Sequence, residues 1–325
     1  VDAACPAQGG CSPAAPDSDQ LSLLQARHRA GALAAVETET PHPHLDTIVK
    51  RLKSMAPEAE GKLWKLTSGN ALAPKVEDWL LQSPNCWGDP KSCRNSQGNT
   101  PGAQKLADQI QQDIASATEW VDITTLCQDY VTLSNLTGVV GALKDGFEIP
   151  IAAYQTPIAT GIFLKAIAQG IRDAHSKNPN VVFRILGGFP SGELVPDLAK
   201  DINKDIDNVL NVPRGDRAIV ADQAKWWLNQ LKKEIGGAAA EGANITVAVV
   251  YTEFGTSWNH AKIVAVDGKS AIVGGHNLWD DDYNGHHPTT DLSMRLEGPA
   301  ASSGHSMADL LWTFACDMAG GSHFQ

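Results

Sequence analysis

Apolar residues recur with helical spacing in several segments and form short continuous runs between them. The spacing i, i+3, i+4 predicts helices over 45–55, 102–117, 162–177, 221–237 and 306–318. Continuous apolar runs bounded by turn residues predict strands over 119–126, 181–188, 245–251 and 291–298. Because such runs alternate with helices, we expect an α/β/α sandwich with a mostly parallel or mixed central sheet.

The first 44 residues lack this pattern and are rich in Ala, Pro, Ser and Gly. That composition is typical of a flexible tail or pro-segment. The sequence therefore predicts a tail over 1–44 and a single folded lobe over 45–325.

Composition and charge narrow the class of protein. Hydrophobic residues make up 42% of the chain and charged residues 19%, which is ordinary for a globular protein. The formal net charge of −11 argues against a nucleic-acid partner, because a nucleic-acid binder needs a basic face to displace counterions from phosphates. No run of 18 or more uncharged apolar residues occurs, so we predict no transmembrane segment.

The chain contains six cysteines. Cys86 and Cys93 bracket "CWGDPKSC", whose Gly-Asp-Pro turn could bring the two sulfurs together, so we predict a disulfide between them. No further close Cys or His pair follows at zinc-ligand spacing, and no metal site is predicted. The sequence leaves open the pairing of the other four, Cys5, Cys11, Cys127 and Cys316.

Three features favour a secreted protein in an oxidising compartment. They are the closely spaced cysteines, the first residue Val1 in place of Met, and the N-x-T sequons at Asn135 and Asn244.

The stretch "NHAKIVAVDGKSAIVGGHN", residues 259–277, carries the densest group of candidate catalytic residues. Asp267-Gly268 is a preferred centre of a two-residue type I′ hairpin turn. That turn would pair residues whose numbers sum to 535, which sets Lys262 opposite Val273 and His260 opposite Gly275. Since side chains alternate along a strand, His260, Lys262 and Asn277 would share one face.

An imidazole, an ammonium and a carboxamide would then surround the space left by the missing side chain of Gly275. Phosphoryl transfer needs such a set, namely a nucleophile or acid with fixed donors for the phosphate oxygens. Asp267 would lie in the turn, away from the pocket, as a turn former and structural acceptor. The alternative is a surface hairpin with incidental polar residues.

This pattern resembles the signature of the phospholipase D superfamily, His-x-Lys-x4-Asp-x6-Gly-Gly-x-Asn. The residues that carry it are His260, Lys262, Asp267, Gly274, Gly275 and Asn277. Further segments, among them "WLLQSPNCWGDPKSC", "HPTTDLSMRLEGPAA" and "DLLWTFAC", resemble the secreted, Streptomyces-type phospholipases D. The resemblance extends from about residue 45 to 317 and lapses over 128–160 and 187–220.

The resemblance implies a secreted phosphodiesterase that acts on phospholipids such as phosphatidylcholine at a membrane surface, without a metal or other cofactor. His260 would attack phosphorus to form a phosphohistidine, and a second histidine would protonate the leaving alcohol. Water or another alcohol would then resolve the intermediate. Asp291, in an "HPxxD" segment that comes one residue earlier than in the family pattern, would hold the imidazole of His260.

The resemblance also implies that half of the site is missing. Related enzymes are about twice as long and carry a second motif in a second lobe, whereas here the other His-x-Lys, at His175, lacks both the Asp and the Gly-Gly-x-Asn. The second motif would come from another lobe or from a homodimer partner, or the chain would be a lobe with little turnover. Two alternative functions remain open: a homodimeric phosphodiesterase or nuclease with a non-lipid substrate, and a non-catalytic lobe that binds lipid or phosphate.

Aromatic and acidic residues flank the motif. Trp258, Trp279 and Tyr283 are predicted at the rim of the substrate pocket, either as packing residues or in contact with a lipid head group. The run 280–282, Asp-Asp-Asp, is interpreted as a solvated loop rather than a cation site.

Overall fold

The computed structural model describes residues 43–60, 66–86, 93–128, 157–188, 217–250 and 259–320. The predictions made for residues 1–42, including Cys5 and Cys11, and for Asn135 and Trp258 lie outside the described residues.

The chain divides into two compact units, Ser12–Gly69 and a larger unit that contains Asn70–Gln325. In the smaller unit, helix α1 (Pro43–Met55) covers the helix predicted over 45–55, and none of its residues is buried. A 3-10 turn (Pro57–Ala59) follows it, and Lys53 pairs with Glu60 at 2.9 Å. The predicted boundary between residues 44 and 45 stays a prediction.

The larger unit alternates helices and strands. Its described helices are α2 (Val76–Trp79), α3 (Pro101–Ala115), α4 (Gly161–Lys177), α5 (Arg217–Ile235), α6 (Gly237–Gly242), α7 (Asp280–Asn284) and α8 (Ser302–Gly320). Its described strands are β1 (Leu80–Ser83), β2 (Trp120–Leu126), β3 (Val182–Gly188), β4 (Asn244–Val250), β5 (Ile263–Val266), β6 (Ser270–Gly274) and β7 (Asp291–Glu297). Every predicted helix and strand is present, whereas β1, α2, α6 and α7 were not predicted.

The seven described strands form one mixed sheet in the order β1-β7-β6-β5-β2-β3-β4. The β2–β3 and β3–β4 pairs are parallel, whereas the β2–β5, β5–β6, β6–β7 and β7–β1 pairs are antiparallel. A mixed sheet is therefore confirmed and a mostly parallel one is wrong. Parallel strands need a crossover connection, and here a three-residue turn joins β5 to β6, so the chain reverses beside β2.

The two faces of the sheet are covered to different extents. Helices α3, α4 and α5 bury the main core against one face, with Ile123, Phe183 and Val264 among the fully buried strand residues. On the other face, α8 packs on small side chains. A Cβ added to Gly304 would lie 2.8 Å from the Cβ of Ala265, so this glycine lets the helix approach the sheet closely.

A buried polar network anchors one flank of α8. His305 Nδ1 bonds Asp122, which is fully buried on β2, and the indole N–H of Trp120 donates to His305 Nε2 (3.0 Å). Because Nε2 accepts, the proton lies on Nδ1 and is donated to the carboxylate. Arg184 binds both oxygens of Asp122 (2.6 and 2.7 Å) and also reaches Asp309 (2.6 Å). This flank of α8 therefore faces β2 and β3.

Two further predictions concern cysteines and membrane spans. Cys86 and Cys93 are joined by a disulfide, as predicted. Cys127 is a buried free thiol whose pKa is raised by burial, so it is not paired with Cys316. Among the described helices, none is both long and apolar enough to cross a bilayer.

Candidate active site

The motif residues meet at one edge of the sheet, where β5 begins, β6 ends and β7 begins. His260 and Lys262 lie on the extended run that enters β5, and Asp291 is the first residue of β7. Gly274 is the last residue of β6 and pairs with Ser293. Antiparallel pairing thus brings Asp291 near Lys262, which precedes it by 29 positions in the sequence.

The register of the hairpin differs from the prediction by one residue. Asp267 and Gly268 both have left-handed φ values, 52° and 62°, as a type I′ turn requires, and the N–H of Lys269 donates to the carbonyl of Val266 (2.8 Å). The ladder nevertheless pairs Val266 with Ser270, so paired positions sum to 536 rather than 535. Lys269 is an additional residue between the turn and β6. Its carbonyl accepts from the N–H of Gly298 (2.9 Å) and not from the N–H of Val266 across the hairpin.

The changed register moves Lys262 but keeps it beside the glycines. Ile263 now faces Val273, and the N–H of Gly274 donates to the carbonyl of Lys262 (3.3 Å). The predicted pairing of Lys262 with Val273 is therefore wrong by one position.

Asp267 is a structural acceptor at the opposite end of the hairpin. Its carboxylate accepts from the hydroxyl of Thr118 (2.7 Å) and from the N–H groups of Thr118, Glu119 and Trp120 (2.8 to 3.0 Å). Burial raises the pKa of Asp267, but these hydrogen bonds outweigh it and the net pKa is lowered. The motif aspartate thus fixes the turn to the start of β2.

His260 lies beside the ammonium of Lys262 in an environment that favours the neutral imidazole. His260 is exposed, while Lys262 is only 8% exposed, and its Nζ donates to the carbonyl of His260 (2.9 Å). Partial burial and the ammonium of Lys262 lower the pKa of His260. Burial lowers the pKa of Lys262 to about 8, an effect that nearby Asp291 opposes. A neutral histidine thus stands beside a lysine that is largely cationic at neutral pH.

The two motif glycines let β7 approach the hairpin, and Asp291 fills the space beside them. A Cβ on Gly274 would lie 2.4 Å from the carbonyl oxygen of Leu292. A Cβ on Gly275 would overlap the carboxylate of Asp291. The sequence prediction left that space open for a ligand; in the structure the carboxylate of Asp291 occupies it. Asp291 also accepts from the N–H of Leu292 (2.8 Å).

His276 is a site residue that the sequence prediction passed over. It is 3% exposed and bridges Ser293 Oγ (2.7 Å, through Nδ1) and Ser83 Oγ (2.8 Å, through Nε2). Ser83 donates its own proton to the carbonyl of Thr289 (3.3 Å), so it accepts from Nε2–H and Nδ1 accepts from Ser293. Burial lowers the pKa of His276 to about 4, although Asp291 opposes this. The alternation of faces along β6 was the available signal, since it turns His276 inward.

Asn277 is held by its neighbours in the chain. Its N–H donates to the hydroxyl of Tyr283 (2.8 Å), and its side chain bonds the carboxyl of Asp282. Since a carboxylate accepts, the amide Nδ2 is the donor, which leaves Oδ1 as a buried acceptor without a hydrogen-bond partner. The predicted contact of Asn277 with a phosphate oxygen stays a prediction.

The predicted rim residues have different surroundings. Tyr283 is 1% exposed and lies in the interior rather than at a rim. Trp279 is half-buried, and its indole N–H donates to the carbonyl of Leu126 (3.1 Å). The Asp-Asp-Asp run forms the first turn of the short helix α7 and is not a solvated loop. Asp280 accepts hydrogen bonds from the N–H of Ile162 (3.3 Å) and from the side chain of Asn284 (2.9 Å).

His175, the other His-x-Lys histidine, lies in the last turn of α4. Within the described part of the chain, no group of three or more His, Cys, Asp or Glu side chains is arranged to hold a metal ion. The site thus offers a neutral imidazole, an ammonium and a nearby carboxylate on a rigid sheet edge, which suits attack on a phosphate ester.

Comparison with known proteins shows a relative in sequence. The chain is 31% identical to phospholipase D from Streptomyces antibioticus over 308 residues, which cover 93% of this chain and 44% of that enzyme. It therefore spans less than half the length of this curated relative. No protein-family model matches the chain.

Two solved structures superpose weakly. NucT from Helicobacter pylori gives a TM-score of 0.33 at 11% identity, over 66% of this chain and 91% of NucT. Nuc from Salmonella typhimurium, a phospholipase D family member, gives 0.32 at 11% identity, over 67% of this chain and 90% of Nuc. Superpositions this weak carry no inference about ligand or assembly.

The fold and site define an α/β lobe with a histidine–lysine pair on the edge of a mixed sheet. On the sequence match to the Streptomyces enzyme, the chain belongs to the phospholipase D superfamily.

Proposed function

We propose that the chain is a catalytic lobe of a secreted phosphodiesterase of the phospholipase D type. It would release the head group of phospholipids such as phosphatidylcholine and pass the phosphatidyl group to water or to another alcohol. The observation that carries the proposal is the pairing of His260, whose pKa is lowered, with the buried ammonium of Lys262. A nucleophilic histidine must be unprotonated, and a phosphate ester needs a fixed cation for its oxygens.

In this proposal His260 attacks phosphorus and the alcohol leaves with a proton from a second histidine. The resulting phosphohistidine is then attacked by water or an alcohol, which restores His260. The leaving alkoxide needs a general acid. His276 is unsuited to this role because it is buried and both its ring nitrogens are occupied by serines. We therefore propose that the second histidine comes from a second lobe of the same kind or from a second copy of this chain.

A bare apolar surface next to the site supports such a partner. On the sheet it consists of Val273, Leu292 and Met294, which are 41–48% exposed, and on α8 of Met307, Leu310 and Phe314, which are 41–62% exposed. We call these six residues the α8–β7 surface.

Their placement follows from the packing of α8. His305 and Asp309 on one flank face β2 and β3, and Leu310 lies about 140° around the helix from His305, so its flank faces away from those two strands. Val273 shares the α8 side of the sheet with Ala271, which lies near Gly304. Leu292 directly follows Asp291, but side chains alternate along β7, so this surface lies on the opposite face from Asp291 and adjoins the site at the sheet edge. Exposed apolar patches of this kind mark contact surfaces.

The test is choline release from phosphatidylcholine vesicles, run beside a plasmid-cleavage assay. His260→Ala should reduce choline release by about 10⁴-fold or more, as loss of a covalent nucleophile does. His175→Ala is the matched control, because it removes the histidine of the other His-x-Lys and should leave turnover unchanged. Choline release that survives His260→Ala would refute the proposed nucleophile, and plasmid cleavage without choline release would favour the nuclease.

A further inference from the structure

Tyr283 contacts two of the motif residues at once. Its hydroxyl accepts the backbone N–H of Asn277 (2.8 Å) and lies 3.2 Å from Asp291 Oδ2. A phenol has a single proton to donate, and since the Asn277 bond uses the oxygen as an acceptor, that proton goes to the carboxylate. The hydroxyl therefore joins the loop after β6 to the first residue of β7.

The ring that carries this hydroxyl is fixed by the core. Tyr283 is 1% exposed, meets Phe163 edge-on with centroids 5.9 Å apart, and lies 5.0 Å from the ring of His276. Burial raises the pKa of the phenol, so it remains a proton donor across the neutral range. Its donor atom is thus held in one place by packing.

Asp291 in turn acts on the cation of the site. Its carboxylate lies against the backbone of Gly275, and its charge raises the pKa of Lys262 against the effect of burial. A carboxylate that lost the phenol donor could turn away from the hairpin, and Lys262 would then lose part of that electrostatic support.

We propose that Tyr283 is a positioning residue, which holds Asp291 and Asn277 in a fixed relation to Lys262. The proposal rests on the proposed function only in treating these three as site residues, since the hydrogen bonds themselves do not depend on any substrate. Tyr283 was predicted at the substrate rim; here it acts from the interior.

The experiment compares Tyr283→Phe with Phe163→Leu. Tyr283→Phe removes only the hydroxyl, whereas Phe163→Leu loosens the same ring packing without touching a hydrogen bond. The readout is the titration of Lys262 followed by NMR of isotope-labelled lysine, with the signal assigned through Lys262→Arg. In parallel, kcat and KM are measured for choline release, and both variants are checked for thermal unfolding.

In Tyr283→Phe the pKa of Lys262 should fall below its value of about 8. The kcat should drop about tenfold or more with KM little changed, as for other residues that orient catalytic groups. Phe163→Leu should lower the melting temperature and leave the Lys262 titration in place. An unchanged Lys262 titration in Tyr283→Phe would overturn the proposal. If no phosphodiester is turned over even when a second lobe is supplied, the proposed function fails, while the titration still decides the role of Tyr283.

Discussion

At the scale of single residues, burial and hydrogen bonding set the protonation states of the site. Lys262 and His276 lie on neighbouring parts of one hairpin, yet a carbonyl accepts from the first and two serines hold the second. The first therefore remains largely cationic at neutral pH and the second is neutral. Lys262 thus supplies a positive charge for the phosphate, whereas His276 links β1 to β7 by hydrogen bonds.

The neutral state of His276 predicts a pH-dependent stability. Its pKa is about 4 in the folded chain, below the ordinary value of 6.5. As the pH is lowered from 6.5 toward 4, His276 gains a proton in the unfolded chain but not in the folded chain. The free energy of unfolding therefore falls across that window. The contribution is full above pH 6.5 and amounts to on the order of 3 kcal/mol.

Urea unfolding of the wild type and of His276→Asn, at a series of pH values, measures this effect. The variant should be less stable at pH 7, and its disadvantage should shrink toward pH 4 because it carries no titrating imidazole. A difference between the two that stays constant from pH 7 to 4 would contradict the protonation state assigned to His276.

At the scale of elements, sequence patterns predict which segments become helices and strands but not how the sheet is ordered. The runs that become β2 and β3 are largely buried on both faces, with Asp122 and Arg184 paired on the α8 face, and together with β4 they form the parallel part of the sheet. The Asp-Gly turn is also predicted from its residues. Its register is not, because Thr118–Trp120 and Gly298 bind the polar groups of the turn from distant parts of the chain.

In the candidate site, too, some residues are predicted from local sequence spacing and others depend on how the strands pair. The motif itself predicts His260, Lys262, Asp267 and Asn277, since their spacing is local. The roles of His276 and Tyr283 depend on Ser83, Ser293 and Asp291, which approach only when β7 pairs with its neighbours. No periodicity within residues 259–277 contains that information.

The docking of α8 provides a prediction at this scale, because one arginine binds two different carboxylates. Arg184 pairs with Asp122, which is fully buried, and with Asp309, whose side chain is 50% exposed. Asp122→Asn should cost about 3 kcal/mol or more, since it leaves the guanidinium and His305 without their buried anion. Asp309→Asn should cost about 1 kcal/mol or less, as exposed ion pairs do.

Chemical denaturation of the two variants provides the comparison, and each serves as the control for the other. Equal losses of unfolding free energy would mean that Asp122 does not anchor the helix. A loss confined to Asp309→Asn would reverse the assignment.

At the scale of the whole molecule, the described lobe carries a histidine–lysine pair at one sheet edge and an apolar surface that reaches the same edge on the α8 face of the sheet. The main core covers one face of the sheet with α3, α4 and α5, whereas among the described helices α8 covers part of the other. Val273, Met294 and Leu310 consequently remain exposed beside the edge that carries the site. The site needs a second histidine, and the exposed surface offers a contact area at the same sheet edge; we propose that a second lobe or a second copy meets both.

The last prediction separates a second copy from other partners. If one site uses His260 from two copies, dimers that contain one His260→Ala copy are inactive, and activity in mixtures falls with the square of the wild-type fraction. Choline release should be measured over such mixtures after subunit exchange, beside sedimentation at micromolar concentration.

Leu310→Glu should give monomers and abolish turnover, because a buried charge opposes association. Val76→Glu, at a position 55% exposed and outside the α8–β7 surface, should do neither. A linear fall in the mixtures would exclude a site shared between copies. If the wild type is itself monomeric and Leu310→Glu abolishes its binding to vesicles, the surface is a membrane contact instead.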